Sequence, residues 1–118
     1  MTTQQVANQL VSLLRQAKFD EIYTQLFHPT EVRHIEPQSP HFAELTGVEA
    51  IRAKDAAMAA NIAAMDKLEV GEAAVAEDFF ALPYKVSLTM KDGSSFALDE
   101  IIVYRVKDGK IVLEQFFY

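Results

Sequence analysis

The stretch from Asp99 to Tyr118, DEIIVYRVKDGKIVLEQFFY, restricts the fold more than any other. Val, Ile, Tyr and Phe dominate it, and such side chains suit a pleated, half-buried surface. It is read as two strands joined by a turn at Lys107-Asp108-Gly109, where Gly109 is free to take a positive φ. The last residues, Phe116-Phe117-Tyr118, are expected to be built into the sheet.

Register decides what this hairpin presents. A three-residue loop with Gly109 as a bulge pairs Val106 with Lys110, Tyr104 with Val112, Ile102 with Glu114 and Glu100 with Phe116. One face then collects Glu100, Tyr104, Glu114, Phe116 and Tyr118, and the other Ile101, Val103, Ile111, Leu113 and Phe117. A two-residue turn at Asp108-Gly109 would move Glu114 to the face of Asp99. The three-residue loop is preferred, because it separates an apolar face from one whose phenols and carboxylates resemble a pocket lining.

Upstream, Val6, Leu10, Leu13, Leu14 and Ala17 fall on one face of a helix, with Thr2 and Gln5 as a capping box. A shorter helix follows over Phe19, Ile22, Tyr23, Leu26 and Phe27, with Asp20 as its expected cap, ending before Pro29. Val32–Glu36 is a short strand with Val32, His34 and Glu36 on one face. Pro37 and Pro40 break regular structure after it.

Thr46 with Glu49 is a second capping box, opening an alanine-rich helix to about Met65. Its buried stripe is read as Val48, Ile51, Met58, Ile62 and Met65, and its wet side as Arg52, Lys54 and Asp55. Met58 and Met65 would line an adaptable cavity or, more commonly, fill a core gap, and Met58 and Ile62 are taken as ligand-binding. Strands are expected over Leu68–Glu77, with Gly71 as a bulge, and over Phe79–Met90. The turn at Lys91-Asp92-Gly93 pairs Met90 with Ser94, and hence Tyr84 with Glu100.

Helices followed by a run of strands mean an α+β domain with helices on one face of a mainly antiparallel sheet. One domain is expected over residues 1–118. The apolar outer face of the last hairpin is too large to leave in water, so a homodimer through that surface is expected.

Composition narrows the function classes. The net charge is −6, with Lys and Arg scattered, which gives no footprint for nucleic acid or an anionic membrane. The chain has no cysteine, which excludes disulfides, thiol catalysis and thiolate metal sites. No basic region followed by an apolar run marks a signal peptide, and no apolar stretch reaches the roughly 18 residues of a membrane helix. A cytoplasmic location is the default expectation.

The order of elements resembles the SnoaL-like branch of the nuclear-transport-factor-2-like superfamily. The likeness rests on Ile35-Glu36-Pro37, Gly47-Val48-Glu49-Ala50-Ile51, Asp99-Glu100, Tyr104, Asp108-Gly109-Lys110-Ile111 and the terminal Phe116-Phe117-Tyr118. The resemblance implies a cystatin-like α+β roll, or cone, with an internal cavity and frequent dimerisation through the sheet. It implies an acidic base at Glu36, before a proline on the first strand. The tyrosine that ketosteroid isomerases carry on the first helix is missing here, and Ile102 stands where their protonated acid would fall. Fold alone does not set function in this superfamily.

Glu36 is the sharpest candidate for chemistry. An apolar cavity would disfavour its charge and suit it to proton abstraction; otherwise it is a strand-end carboxylate in water, or paired with Arg33 or a lysine. His34, on the same face, would shuttle protons or hold Glu36, or else simply bond a carbonyl. Glu100 and Glu114 add two acids to the pocket face, near Tyr84, Tyr104 and Tyr118. Such carboxylates cannot all stay ionised in a low-dielectric interior, so one should be protonated or bonded to a phenol.

A metal site at His34, Glu36 and Glu100 lacks any close-spaced ligand motif, and no cofactor motif is present. Two functions remain open. One is a cavity domain for a small, fairly apolar molecule with carbonyl or hydroxyl groups, with or without cofactor-free acid–base chemistry. The other is a non-catalytic ligand-binding or dimerising module, whose polar residues only satisfy one another.

Overall fold

The structure is a computed structural model and describes residues 1–39 and 42–118. Pro40, expected to break regular structure, lies outside the described residues. Helices α1 (Thr3–Arg15) and α2 (Phe19–Gln25) lead into strand β1 (Arg33–Ile35). Strand β2 (Glu44–Thr46) and helix α3 (Val48–Ala59) follow. Then come β3 (Ile62–Val70), β4 (Ala74–Val75), β5 (Phe79–Met90), β6 (Ser95–Lys107) and β7 (Lys110–Phe117). The main sheet runs β2-β1-β7-β6-β5-β3, with β4 paired to β5. Only β1 against β7 is parallel among the named pairs. The fold is α+β, with helices packed on a mostly antiparallel open sheet.

Helix α1 begins as its sequence dictates. Thr2 Oγ1 accepts from Gln5 N, and Gln5 Oε1 accepts from Thr2 N, closing the capping box. Val6, Leu10, Leu13 and Leu14 are buried against Ile22, Leu26 and Phe27 of the next segment and against the inner face of the sheet.

Several local expectations are corrected. Helix α2 has Lys18 at its N-cap with no side-chain bond; Asp20 lies in the first turn and pairs with Arg52 of α3. Gly47 (φ 90°), and not Thr46, precedes α3, with no side-chain cap. Gly47 N donates to Val32 O (2.7 Å) and Val48 N to Pro29 O (2.9 Å), so backbone carbonyls take over the capping task.

Helix α3 ends at Ala59, short of Met65, because Ile62–Val70 is claimed by β5 as an antiparallel partner. The strand expected over Leu68–Glu77 is thus two pieces, β3 and β4. They part at Gly71, whose N–H donates to Pro83 O (2.9 Å).

The final hairpin has a different register from the one preferred. Asp108 (φ 52°) and Gly109 (φ 76°) are both left-handed and form a two-residue turn, with Lys107 opposite Lys110 and Val106 opposite Ile111. The pairing then slips between Arg105 and Val106, so that Arg105 meets Leu113, Tyr104 meets Glu114 and Ile102 meets Phe116. Val112 is the extra residue of this bulge.

The turn flips side-chain parity once and the bulge flips it back. Glu100, Tyr104 and Glu114 therefore do share a buried inner face. Ile111, on the turn side of the bulge, is the exception: it is fully buried in the core and not on the outer face. The Lys91–Gly93 turn has the expected form, and Tyr84 pairs with Glu100. No helix among the described residues is long and apolar enough to cross a membrane.

Candidate functional site

The sheet register builds a row of side chains across its inner face. His34 on β1 is the partner of Glu114 on β7, Glu114 of Tyr104 on β6, and Tyr104 of Phe80 on β5. His34 Nδ1 lies 2.8 Å from Glu114 Oε1, and Tyr104 also bonds the Glu114 carboxylate. Phe80 stacks on Tyr104 at 4.9 Å, sealing that end of the row with an apolar ring. The ring of Phe116, one pleat along, tilts against His34 at 5.0 Å.

Lys54 of α3 joins this row to Glu36. Its Nζ lies 2.5 Å from Glu36 Oε2 and 2.7 Å from His34 Nε2. All three side chains are buried. An ammonium has no lone pair, so Lys54 donates to both groups. His34 Nε2 then accepts, which leaves the proton on Nδ1 to be donated to Glu114. The Tyr118 phenol is pushed up to about 12 by burial first and then by the Glu36 charge and hydrogen bond.

The expectation that Lys54 lies on the wet side of α3 is therefore wrong. It follows Ile51 by one helical turn and faces the sheet with it. The spacing Ile51, Lys54, Met58 would have placed it on the apolar stripe. A buried His and several buried carboxylates also require a cation nearby.

Glu100 differs from the other acids. It is only 4% exposed, and its Oε2 is a buried oxygen with no hydrogen-bond partner among the described residues. Burial pushes its carboxyl up to about 8, the charges of Glu36 and Glu114 push the same way, and Lys54 opposes them. At neutral pH Glu100 is largely a neutral acid and can donate a hydrogen bond. Opposite it, burial and the Glu100 and Glu114 charges hold the Tyr84 phenol well above its usual range.

A second layer lies towards α2. Tyr23 donates to Asp55 Oδ2, and Arg52 lies over the Tyr23 ring at 5.3 Å. Burial raises the Asp55 carboxyl, while its bond to Tyr23 opposes that shift. Sequence reading gave neither residue a role.

The structure thus gathers His34, Glu36, Glu100, Tyr104, Glu114 and Tyr118, with Tyr84 and Phe116 beside them. Met58 and Ile62 are not brought in. Met58 is 39% exposed near the end of α3, and Ile62 is paired with Met90 where β3 begins. Two surface hollows of about 520 and 560 Å³ are lined by other residues: one by the N-terminus and Arg105–Gly109, the other by α1 with Glu72 and Ala73. No three His, Asp or Glu among the described residues are placed to hold a metal ion together.

A family model described as the SnoaL-like domain matches residues 1–118. The chain belongs to the SnoaL-like family. No curated protein matches this SnoaL-like chain by sequence. Among solved structures it is similar to a Mesorhizobium loti protein named both SnoaL-like polyketide cyclase and carbohydrate phosphatase. That similarity is 29% identity over 100% of both chains, with a TM-score of 0.91. A nuclear-transport-factor-2-like protein of unknown function from Burkholderia pseudomallei shares 18% identity at a TM-score of 0.79, covering 98% of this chain and 89% of that one. A Xanthomonas campestris protein with a cystatin-like fold shares 17% at 0.76, covering 99% and 90%. The latter two likenesses establish the fold alone.

Proposed function

We propose that this SnoaL-like domain binds a small, largely apolar molecule bearing a carbonyl or hydroxyl group beside Glu100, and performs cofactor-free proton transfer on it. Isomerisation, cyclisation, dehydration and hydrolysis all fall within that chemistry. The observation that carries the reading is the partnerless, buried Oε2 of Glu100. A buried polar atom left unpaired costs free energy, and a ligand oxygen would satisfy it.

Glu100 is the donor to that oxygen, supported by its preference for the neutral form. Tyr84, opposite it in the sheet, orients the ligand. Glu36, bonded to Lys54, is the proton acceptor, and His34 is held at its side through the same lysine. Glu114 bonds both His34 and Tyr104, so Glu114 and Tyr104 hold His34 in place and leave the ligand to the residues nearer Glu100.

A non-catalytic module is the second reading. It is supported by the partners the other acids already have: Lys54 and Tyr118 on Glu36, His34 and Tyr104 on Glu114, Tyr23 on Asp55. Among the described residues, only Glu100 argues against a self-satisfied interior.

A thermal-shift screen of hydrophobic ketones, steroids and polyketide-like phenols tests this, repeated with Glu100→Leu and Glu36→Gln. The expected result is saturable stabilisation by a ketone or phenol that weakens about tenfold in Glu100→Leu, the loss of one good hydrogen bond. Stabilisation indifferent to Glu100→Leu, or none with any compound, would favour the second reading.

We also propose that the domain is a homodimer through the outer sheet face. Ile101 (43% exposed) is the register partner of both Pro83 and Phe117 (49% exposed), a contiguous apolar strip left uncovered by the described residues of one chain.

A further inference from the structure

We propose that Lys54 is a positioning residue: held by Glu36, its ammonium caps His34 Nε2 and fixes the imidazole as the neutral Nδ1–H tautomer, so that His34 exchanges protons only towards Glu114. The inference takes its catalytic meaning from the proton-transfer reading above, but its geometry stands independently of any ligand.

Without Lys54, His34 Nε2 would lie open among carboxylates. Carboxylates approach the ring from three elements: Glu36 beside β1, Asp55 on α3 and Glu114 on β7. Glu100 and Tyr104 on β6, Tyr84 on β5, Tyr23 on α2 and Tyr118 after β7 are the other titratable groups around the network among the described residues. Among the described residues within hydrogen-bond distance of His34, Lys54 is the sole cation.

Its 2.7 Å approach to Nε2 occupies the lone pair an incoming proton would need. The 2.5 Å bond to Glu36 sets where that ammonium sits, and the 2.8 Å bond to Glu114 takes the proton on Nδ1. Two hydrogen bonds, one at each ring nitrogen, thus define both the tautomer and the ring orientation. Proton exchange is then confined to one side of the ring. The Nδ1 proton passes to the Glu114 carboxylate and returns from it, while Lys54 keeps Nε2 occupied.

The ¹⁵N spectrum of the His34 ring in the ligand-free chain at pH 7 reads this directly. The wild type should show a neutral ring protonated at Nδ1. Lys54→Met should show both nitrogens protonated, because Nε2 is then open among carboxylates, whereas Glu36→Gln should leave the neutral Nδ1–H ring in place. If Lys54→Met does not fold, Lys54→Met/Glu36→Gln removes the stranded carboxylate and should give the same doubly protonated ring. A wild-type ring that is doubly protonated or carries its proton on Nε2 would overturn the assignment. So would a ring whose spectrum ignores the loss of Lys54. These spectra involve no ligand, so an empty ligand screen and a wrong tautomer are separate outcomes.

Discussion

Lys54 Nζ and Glu36 Oε2 are 18 positions apart in sequence and 2.5 Å apart in the interior, with both side chains out of water. Neither element would tolerate its charged residue alone. A buried ion pair gives little net stability, yet losing one partner strands the other charge. Lys54→Met should therefore cost about 3–5 kcal/mol, and Glu36→Gln a comparable amount. The double variant should cost clearly less than the sum, with a coupling energy above about 1 kcal/mol. Urea unfolding of the four proteins measures it; simple additivity would mean the two residues do not depend on each other.

Glu100 should make stability fall as pH rises. Its folded carboxyl titrates at about 8, against an ordinary value of 4.5. Between those two values the unfolded chain has released this proton and the folded chain still holds it. The native state binds more protons, so raising pH favours unfolding, at up to about 1.4 kcal/mol per pH unit from this group. Below the ordinary value both states are protonated and the term vanishes. Glu100→Gln, which keeps shape and neutrality, should match the wild type near pH 4 and exceed it in stability near pH 9. Denaturant melts across that window check the sign; a gap that fails to widen with pH would reject a protonated Glu100.

What could be read beforehand follows from which signals are local. The strand run from Phe79 to Phe117 and the Thr2–Gln5 cap are written in neighbouring residues, and both appear where expected. The face shared by Glu100, Tyr104 and Glu114 was legible too, although for an incomplete reason. The two-residue turn and the bulge at Val112 each shift parity, and their effects cancel everywhere except at Ile111. A bulge has little signature in the bulged residues themselves, since it is selected by packing across the sheet.

Lys54 was illegible on charge alone. Lysine is almost never fully buried unless paired, and its partners His34 and Glu36 come from β1 and the residue after it, which sequence does not place beside α3. Helix α3 was read as too long for a similar reason: the pairing of Ile62–Val70 with β5 overrides the helical preference of its alanines.

The turn at Asp108-Gly109 should resist side chains. Gly109 has φ 76°, and a Cβ there would sit 3.0 Å from Met1 N and 3.1 Å from Met1 O. Gly109→Ala combines left-handed backbone strain with that crowding, and should cost roughly 1–2 kcal/mol. Gly93→Ala has a similar φ of 87° but open space around it, so it should cost less. Thermal unfolding of the two variants separates crowding from strain. Equal losses would mean that Met1 yields freely.

Self-association should follow the Pro83–Ile101–Phe117 strip. Ile101 points away from the Glu36–Lys54 network, because its neighbours Glu100 and Ile102 point into the interior. Ile101→Lys therefore adds a charge to the outer face and leaves the inner one alone. Sedimentation velocity should show a wild-type dimer and an Ile101→Lys monomer, with the ¹⁵N signature of His34 unchanged between them. Because the desolvated strip is apolar, wild-type association should hold in high salt, where a contact built on exposed ion pairs would weaken. A wild type that stays monomeric at high protein concentration, or a dimer indifferent to Ile101→Lys, would move the interface elsewhere or remove it.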